Sequence, residues 1–111
     1  MLRPIEIENI DEMRQREGID DIELHEGIGR LQVGDHVRLT YLCGASLRET
    51  LKVRITRIRA GQFRGRLVGP VARPKLLGLR PDSLVTFTAG QIHSIAQPHT
   101  AAARGKSKSR D

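Results

Sequence analysis

Residues 50–69 read TLKVRITRIRAGQFRGRLVG. Leu51, Val53 and Ile55 alternate with Lys52, Arg54 and Thr56. A period of two is that of a strand with one face buried. Ala60-Gly61 is a turn signal, after which Phe63, Gly65 and Leu67 alternate with Arg64, Arg66 and Val68. The stretch predicts a long β-hairpin with an apolar inner face and an arginine-rich outer face. Ile58 falls out of phase with Leu51, Val53 and Ile55. One extra residue near Thr56-Arg57 restores the phase, which predicts a β-bulge there. In that register Ile58 faces Phe63, Ile55 faces Gly65, Val53 faces Leu67 and Arg54 lies opposite Arg66. Like charges opposed across a sheet are unfavourable by up to about 1 kcal/mol per pair. Either the two side chains splay into water, or an anion or an acidic part of the chain sits between them.

The neighbouring segments have the same period. Val33-Gly34-Asp35 is a turn, and Val37, Leu39 and Tyr41 then alternate with His36, Arg38 and Thr40. Residues 43–46 read as a loop. Residues 69–81 contain Pro70, Pro74 and Pro81. Proline cannot donate to a ladder, so this segment is expected to be a long loop, anchored by Leu76, Leu77 and Leu79. Residues 83–88 predict a strand with Val85 and Phe87 inward. Ala89-Gly90 breaks it, and residues 91–95 predict a turn or short last strand with Ile92 and Ile95 buried. The expected core is Val37, Leu39, Val53, Ile55, Phe63, Leu67, Val85, Phe87 and Ile92.

Ahead of the strands, residues 1–8 are expected to be an extended or frayed lead-in. Asn9 followed by Glu12 predicts a capped short helix with Ile10 and Met13 on one face and Gly18 at its end. Asp20 followed by Glu23 repeats the pattern. Ile22, Ile28 and Leu31, with Leu24 or His25, give a second helical stripe to about Leu31. Gly27 and Gly29 each weaken that helix by about 1 kcal/mol relative to Ala, so it needs the rest of the fold to hold it.

These elements predict a mainly β chain: a small, partly open SH3-like barrel of four or five antiparallel strands, preceded by one or two short helices. The runs VGDHVRLTYL, ETLKVRITRI, FRGRLVG and LGLRPDSLVTFTAGQIHSI resemble a family of small uncharacterised bacterial domains with an SH3-like barrel. The resemblance covers about residues 33–95. It departs at Pro81-Asp82-Ser83, where the family has a glycine, and at His93, which follows Ile92 rather than preceding it. Its motifs are structural, so it implies the fold and assigns no functional residue. The expected organisation is an acidic helical segment over 1–32, the barrel over 33–97 and a disordered basic tail over 98–111.

The bulk properties narrow the function. The chain has 111 residues, 38% of them hydrophobic, which allows one domain with a modest core. Its aromatics are Tyr41, Phe63 and Phe87, so the core is aliphatic. No apolar run reaches the roughly 18 residues of a membrane span, and the start shows no secretory h-region. The single Cys43 allows no internal disulfide. Together these predict a cytoplasmic protein. The net charge of +6 is unevenly spread. Residues 1–27 hold three basic and nine acidic residues, net −6, and the remainder holds 16 basic and four acidic, net +12. An acidic arm stands beside a basic body, either folded against it as a mask or engaging a different partner.

Catalysis finds little support. Cys43 lies in a glycine-containing loop with His36 and His93 as possible bases, but no motif frames it, and a lone thiol ordinarily behaves as a small buried hydrophobe. The spacing of Cys43, His25, His36, His93 and His99 matches no zinc pattern. Gly27-Ile28-Gly29-Arg30 follows no strand and lacks the third glycine or lysine of a phosphate loop. The expectation is a protein that is not an enzyme and has neither cofactor nor metal. A polyproline groove or a methyl-lysine cage would need clustered exposed aromatics, which the composition does not provide.

The basic face is the strongest functional signal. Arg38, Lys52, Arg54, Arg57, Arg64 and Arg66 are the expected nucleic-acid-binding residues. Arg59 lies beside them, Arg73, Lys75 and Arg80 lie in the long loop, and Lys106 and Lys108 in the tail. Arginine favours bidentate contact with phosphate or carboxylate. The expected partner is the DNA or RNA backbone, bound without regard to sequence. The alternative is protein–protein interaction, in which the chain, acting as an immunity or neutralising module, binds an acidic protein surface.

Overall fold

The computed structural model describes residues 5–43 and 47–96. Six antiparallel strands form one curled sheet among these residues: β1 (Ile5–Ile7), β2 (His36–Cys43), β3 (Leu47–Arg59), β4 (Gln62–Val68), β5 (Leu84–Thr88) and β6 (Ile92–Ala96). β2 is the hub. One edge pairs with β3 along its full length, from His36↔Arg54 to Cys43↔Leu47. Its other edge is shared: β6 takes the first half, from His36↔Ala96 to Leu39↔Ile92, and β1 takes the second, from Ile7↔Tyr41 to Ile5↔Cys43. The chain runs outward through β4 and β5, turns in a 3-10 helix at Ala89–Gln91, and returns to β2 as β6. This meander curls into a half-barrel, the small, partly open, mainly β fold that was expected.

The hairpin register is as predicted. Val53↔Leu67, Arg54↔Arg66, Ile55↔Gly65 and Ile58↔Phe63 are opposed, and the ladder shifts between Ile55 and Arg57. The turn places Ala60 at φ 49° and Gly61 at φ 80°, the two left-handed residues of a type I′ connection. All nine expected core residues are buried, joined by Leu51, Tyr41, Cys43 and Leu77. Phe63 and Phe87, opposed across β4 and β5, stack with ring centroids 5.4 Å apart. Ile58 has its predicted partner but stays 38% exposed, because the core ends before the hairpin tip.

The N-terminal segment packs on the barrel. The lead-in supplies β1, a strand that sequence alone did not indicate. Helix α1 (Ile10–Arg16) begins at Asn9, whose side chain accepts the Glu12 N–H at 3.0 Å. Ile10 is fully buried, and Gly18 at φ 72° ends the turn. Helix α2 (Ile22–Ile28) is capped by Asp21, one residue later than expected. The Asp21 carboxylate accepts the Leu24 N–H at 3.0 Å and the Arg14 guanidinium at 3.2 Å. That cap turns Leu24 and Ile28 onto the core, with Leu31 following, and leaves Ile22 61% exposed. Gly27 has a packing reason: a Cβ there would stand 2.6 Å from Ile95 Cδ1. The glycine that weakens the helix lets it approach β6.

The loop over 69–81 contains a one-turn helix, α3 (Pro74–Leu77), between a proline in its first turn and Gly78 at φ 69°. Leu77 is buried and Leu79 packs against the core, but Leu76 is 40% exposed, so two of the three expected anchors hold. Glu49 faces inward from β3 and straps this loop down. One carboxylate oxygen accepts the Ala72 N–H at 2.6 Å and the other lies 3.6 Å from Arg73. Among the described residues no helix is long and apolar enough to cross a membrane. The expected tail, with His99, Lys106 and Lys108, lies outside the described residues.

Candidate functional site

The outward positions of the sheet follow from the register. On β3 they are Arg48, Thr50, Lys52 and Arg54 before the bulge and Arg57 and Arg59 after it. Arg54 opposes Arg66, Arg57 opposes Arg64, and Arg59 opposes Gln62. Arg38 on β2 opposes Lys52, and Thr86 on β5 opposes Arg64. All six expected site residues therefore share one face, with Arg59 beside them, and all are exposed. No outward position of β2 to β6 is Asp or Glu.

The bulge decides this arrangement. With unbroken alternation from Val53 and Ile55, Arg57 would point into the core. The extra residue, Thr56, is satisfied by donating its Oγ1 hydroxyl to the Arg64 carbonyl at 3.2 Å, and Arg57 is turned outward. Arg54, Arg57, Arg64 and Arg66 thus form a quartet of two opposed pairs. Opposed Cβ atoms on antiparallel strands stand about 4.5–5.5 Å apart. Four guanidinium groups on so small a patch repel one another, and an anion between them relieves that repulsion.

Little inside the molecule relieves it. Arg38 donates to Ser94 Oγ at 3.3 Å and Arg66 to the Asp82 carbonyl at 3.1 Å. Among the described residues the side chains of Lys52, Arg54, Arg57, Arg59 and Arg64 have no hydrogen-bond or ion-pair partner. Five acids of the N-terminal segment are engaged elsewhere. Asp11 meets His25, Glu12 meets Arg16, Asp21 meets Arg14 and Glu26 meets Arg30. Glu8 lies 3.6 Å from Arg48, so Arg48, at the far end of β3, is the outward arginine that the segment neutralises. The arm folds against the body but does not mask the quartet.

Beside the hairpin tip is an open groove of about 550 Å³, lined in part by Arg57, Arg59, Gln62, Arg64 and Thr86. Gln62 and Thr86 add neutral hydrogen-bonding groups to the cationic wall. Neither is among the expected site residues, although the alternation of Thr86 with Val85 and Phe87 is the signal that places it outward. Tyr41, Phe63 and Phe87 are all buried, and of the three only Phe63 borders the groove, along its inner wall.

The other candidates are dispersed. Cys43 is buried at the end of β2, while His36 stands at its start, seven residues or about 23 Å away along the strand. His93 lies on β6, which pairs with the His36 half of β2. No thiol–imidazole pair forms from these residues. Among the described residues no group of three or more His, Cys, Asp or Glu side chains could hold a metal ion. The phenol of Tyr41 is buried with no hydrogen-bond partner among the described residues, and burial pushes it up to about 12. Comparison with protein families, characterised proteins and solved structures found no match.

Proposed function

We propose that this chain is a non-enzymatic binding module whose arginine face grips the phosphate backbone of DNA or RNA without reading sequence. The observation that carries the reading is the quartet of Arg54, Arg57, Arg64 and Arg66, gathered by a bulge where no outward position of β2 to β6 is acidic. Arginine presents five N–H donors in a fixed fork that matches phosphate oxygens bidentately. Sequence-tolerant base stacking needs exposed aromatic rings, and these are buried, so the grip is on the backbone. Arg38 and Lys52 extend the track across β2 and β3, and the groove at the hairpin tip continues it. Cytoplasmic location and membership in the small bacterial SH3-like family belong to the same proposal and rest on the sequence features given above.

A second reading has its own support. Leu84, 52% exposed, opposes Arg66 on the same face, and Val68 opposes Lys52. Apolar groups within a cationic face suit an acidic protein surface, as a neutralising module would require. The two readings separate on purified protein. Nucleic-acid binding predicts ultraviolet absorbance from co-purifying polymer, which a nuclease removes, and binding lost in Arg54→Glu/Arg66→Glu. A protein free of nucleic acid that fails to shift labelled DNA or RNA at low salt would overturn the first reading and favour the second.

A further inference from the structure

We infer that the arginine face is also the docking surface for the acidic helical segment of a second copy of this chain. The inference stands whether or not the face binds nucleic acid. Its first support is where the helices lie. α2 packs on β6 through Leu24 and Ile28, next to Ile92 and Ile95, whose partners Leu39 and Val37 point into the core. The helices therefore cover the inner side of the sheet, while the quartet points from the outer side. The acidic segment cannot fold over the quartet of its own chain.

The second support is complementarity. Glu17, Asp20 and Glu23 have no ion-pair partner among the described residues. Ile19, 49% exposed, and Ile22 project among them. This knob is held in shape: the Ile19 N–H donates to the Arg14 carbonyl at 2.8 Å, and the Arg14 guanidinium reaches Asp21 and, at 3.4 Å, the His93 carbonyl. Across residues 17–23 it offers apolar tips within a rim of carboxylates. The opposite face offers guanidinium groups with Leu84 and Val68 among them. Each surface carries what the other lacks. The two patches differ, so the contact is heterologous and does not close on itself, which makes assembly head-to-tail and open-ended. Its attraction is between exposed charges and is screened by salt.

Sedimentation velocity of nuclease-treated full-length protein tests the inference, at low and high salt over a range of concentrations. The weight-average mass should rise with concentration at low salt, without a plateau at the dimer, and return to the monomer at high salt. Two variants then stop the chain at opposite ends. Glu17→Gln/Asp20→Asn/Glu23→Gln removes the charge of the knob, and Arg54→Glu/Arg66→Glu removes the socket. Both change exposed side chains, and unchanged melting curves show that the fold is kept. Each variant alone should be monomeric. An equimolar mixture should form a dimer that grows no further, since one knob and one socket remain between them. A wild-type monomer at every concentration in low salt, assembly that either variant retains, or a mixture that stays monomeric would each overturn the inference. Duplex binding by the knob variant is read separately, so failure here leaves the nucleic-acid reading to its own test.

Discussion

Gly65 lies between Arg64 and Arg66 and opposite Ile55, immediately after the bulge in β3. A Cβ placed there would meet Val53 Cγ1 and, at 2.5 Å, the Arg54 carbonyl oxygen, with the Arg54 carbonyl carbon at 3.2 Å. Val53 is fully buried and cannot swing away, and the carbonyl belongs to the backbone of β3. Gly65→Ala must therefore push β3 and β4 apart. Overpacking of this kind costs about 1–3 kcal/mol. A ladder hydrogen bond lost in the process adds about 1 kcal/mol. Removing glycine from the unfolded chain returns about 0.5–1 kcal/mol. The expected net loss is about 1–3 kcal/mol, a sizeable share of the 5–15 kcal/mol typical of a domain. Urea denaturation measures it as a lowered midpoint at unchanged slope. The same separation moves Arg64 and Arg66 away from their partners, so polyanion affinity should fall in the protein that remains folded. A variant as stable as wild type would mean that β3 and β4 do not approach closely here, and would refute the bulged register.

Other substitutions probe the core and the turn. Phe63→Ala removes one of two stacked rings from a core that is otherwise aliphatic and should cost about 3–5 kcal/mol in a denaturant melt; a loss below about 1 kcal/mol would place the ring on the surface. Ala60→Asn supplies a residue that tolerates the left-handed φ of the type I′ turn and should raise the urea midpoint by the equivalent of about 0.5–1 kcal/mol; a lowered midpoint would contradict the turn. The Tyr41 phenol is raised from 10.0 to about 12 by burial, so the folded state holds its proton more tightly than the unfolded state. Its contribution is complete below about pH 10 and is lost as pH rises toward 12, by about 2–3 kcal/mol at full ionisation. Tyr41→Phe should abolish that alkaline loss and, by deleting an unpartnered hydroxyl, leave neutral-pH stability equal or slightly higher; melts across this range decide it.

The parts legible in the sequence were those set by local period. Ile58 out of phase sufficed to place the bulge, and the bulge fixed which arginines oppose one another. The parts missed depend on partners far along the chain. β1 has three residues and is a strand only because the upper edge of β2 is unfilled by β6. Asp20 and Asp21 are equivalent as local caps, and the Arg14 guanidinium beside Asp21 distinguishes them only in the folded chain. α3 did leave a local signal, a proline and a glycine four residues apart, which three prolines in one segment outweighed. Of the site, the outward direction of each arginine was legible. That the acidic segment neutralises Arg48 and leaves the quartet free was not, because it follows from where the helices dock.

The proposed function requires the quartet face to hold a phosphate backbone through charge. Fluorescence anisotropy of a labelled duplex, titrated with protein over a series of salt concentrations, tests it most directly. Binding should be indifferent to duplex sequence. The slope of log K against log salt should lie between about −4 for the quartet alone and about −6 for all seven cations of the face, at about −0.9 per phosphate neutralised. Arg54→Glu/Arg66→Glu should abolish binding with the fold intact. Absence of binding at low salt, or binding with a flat salt response that this variant retains, would contradict the claim.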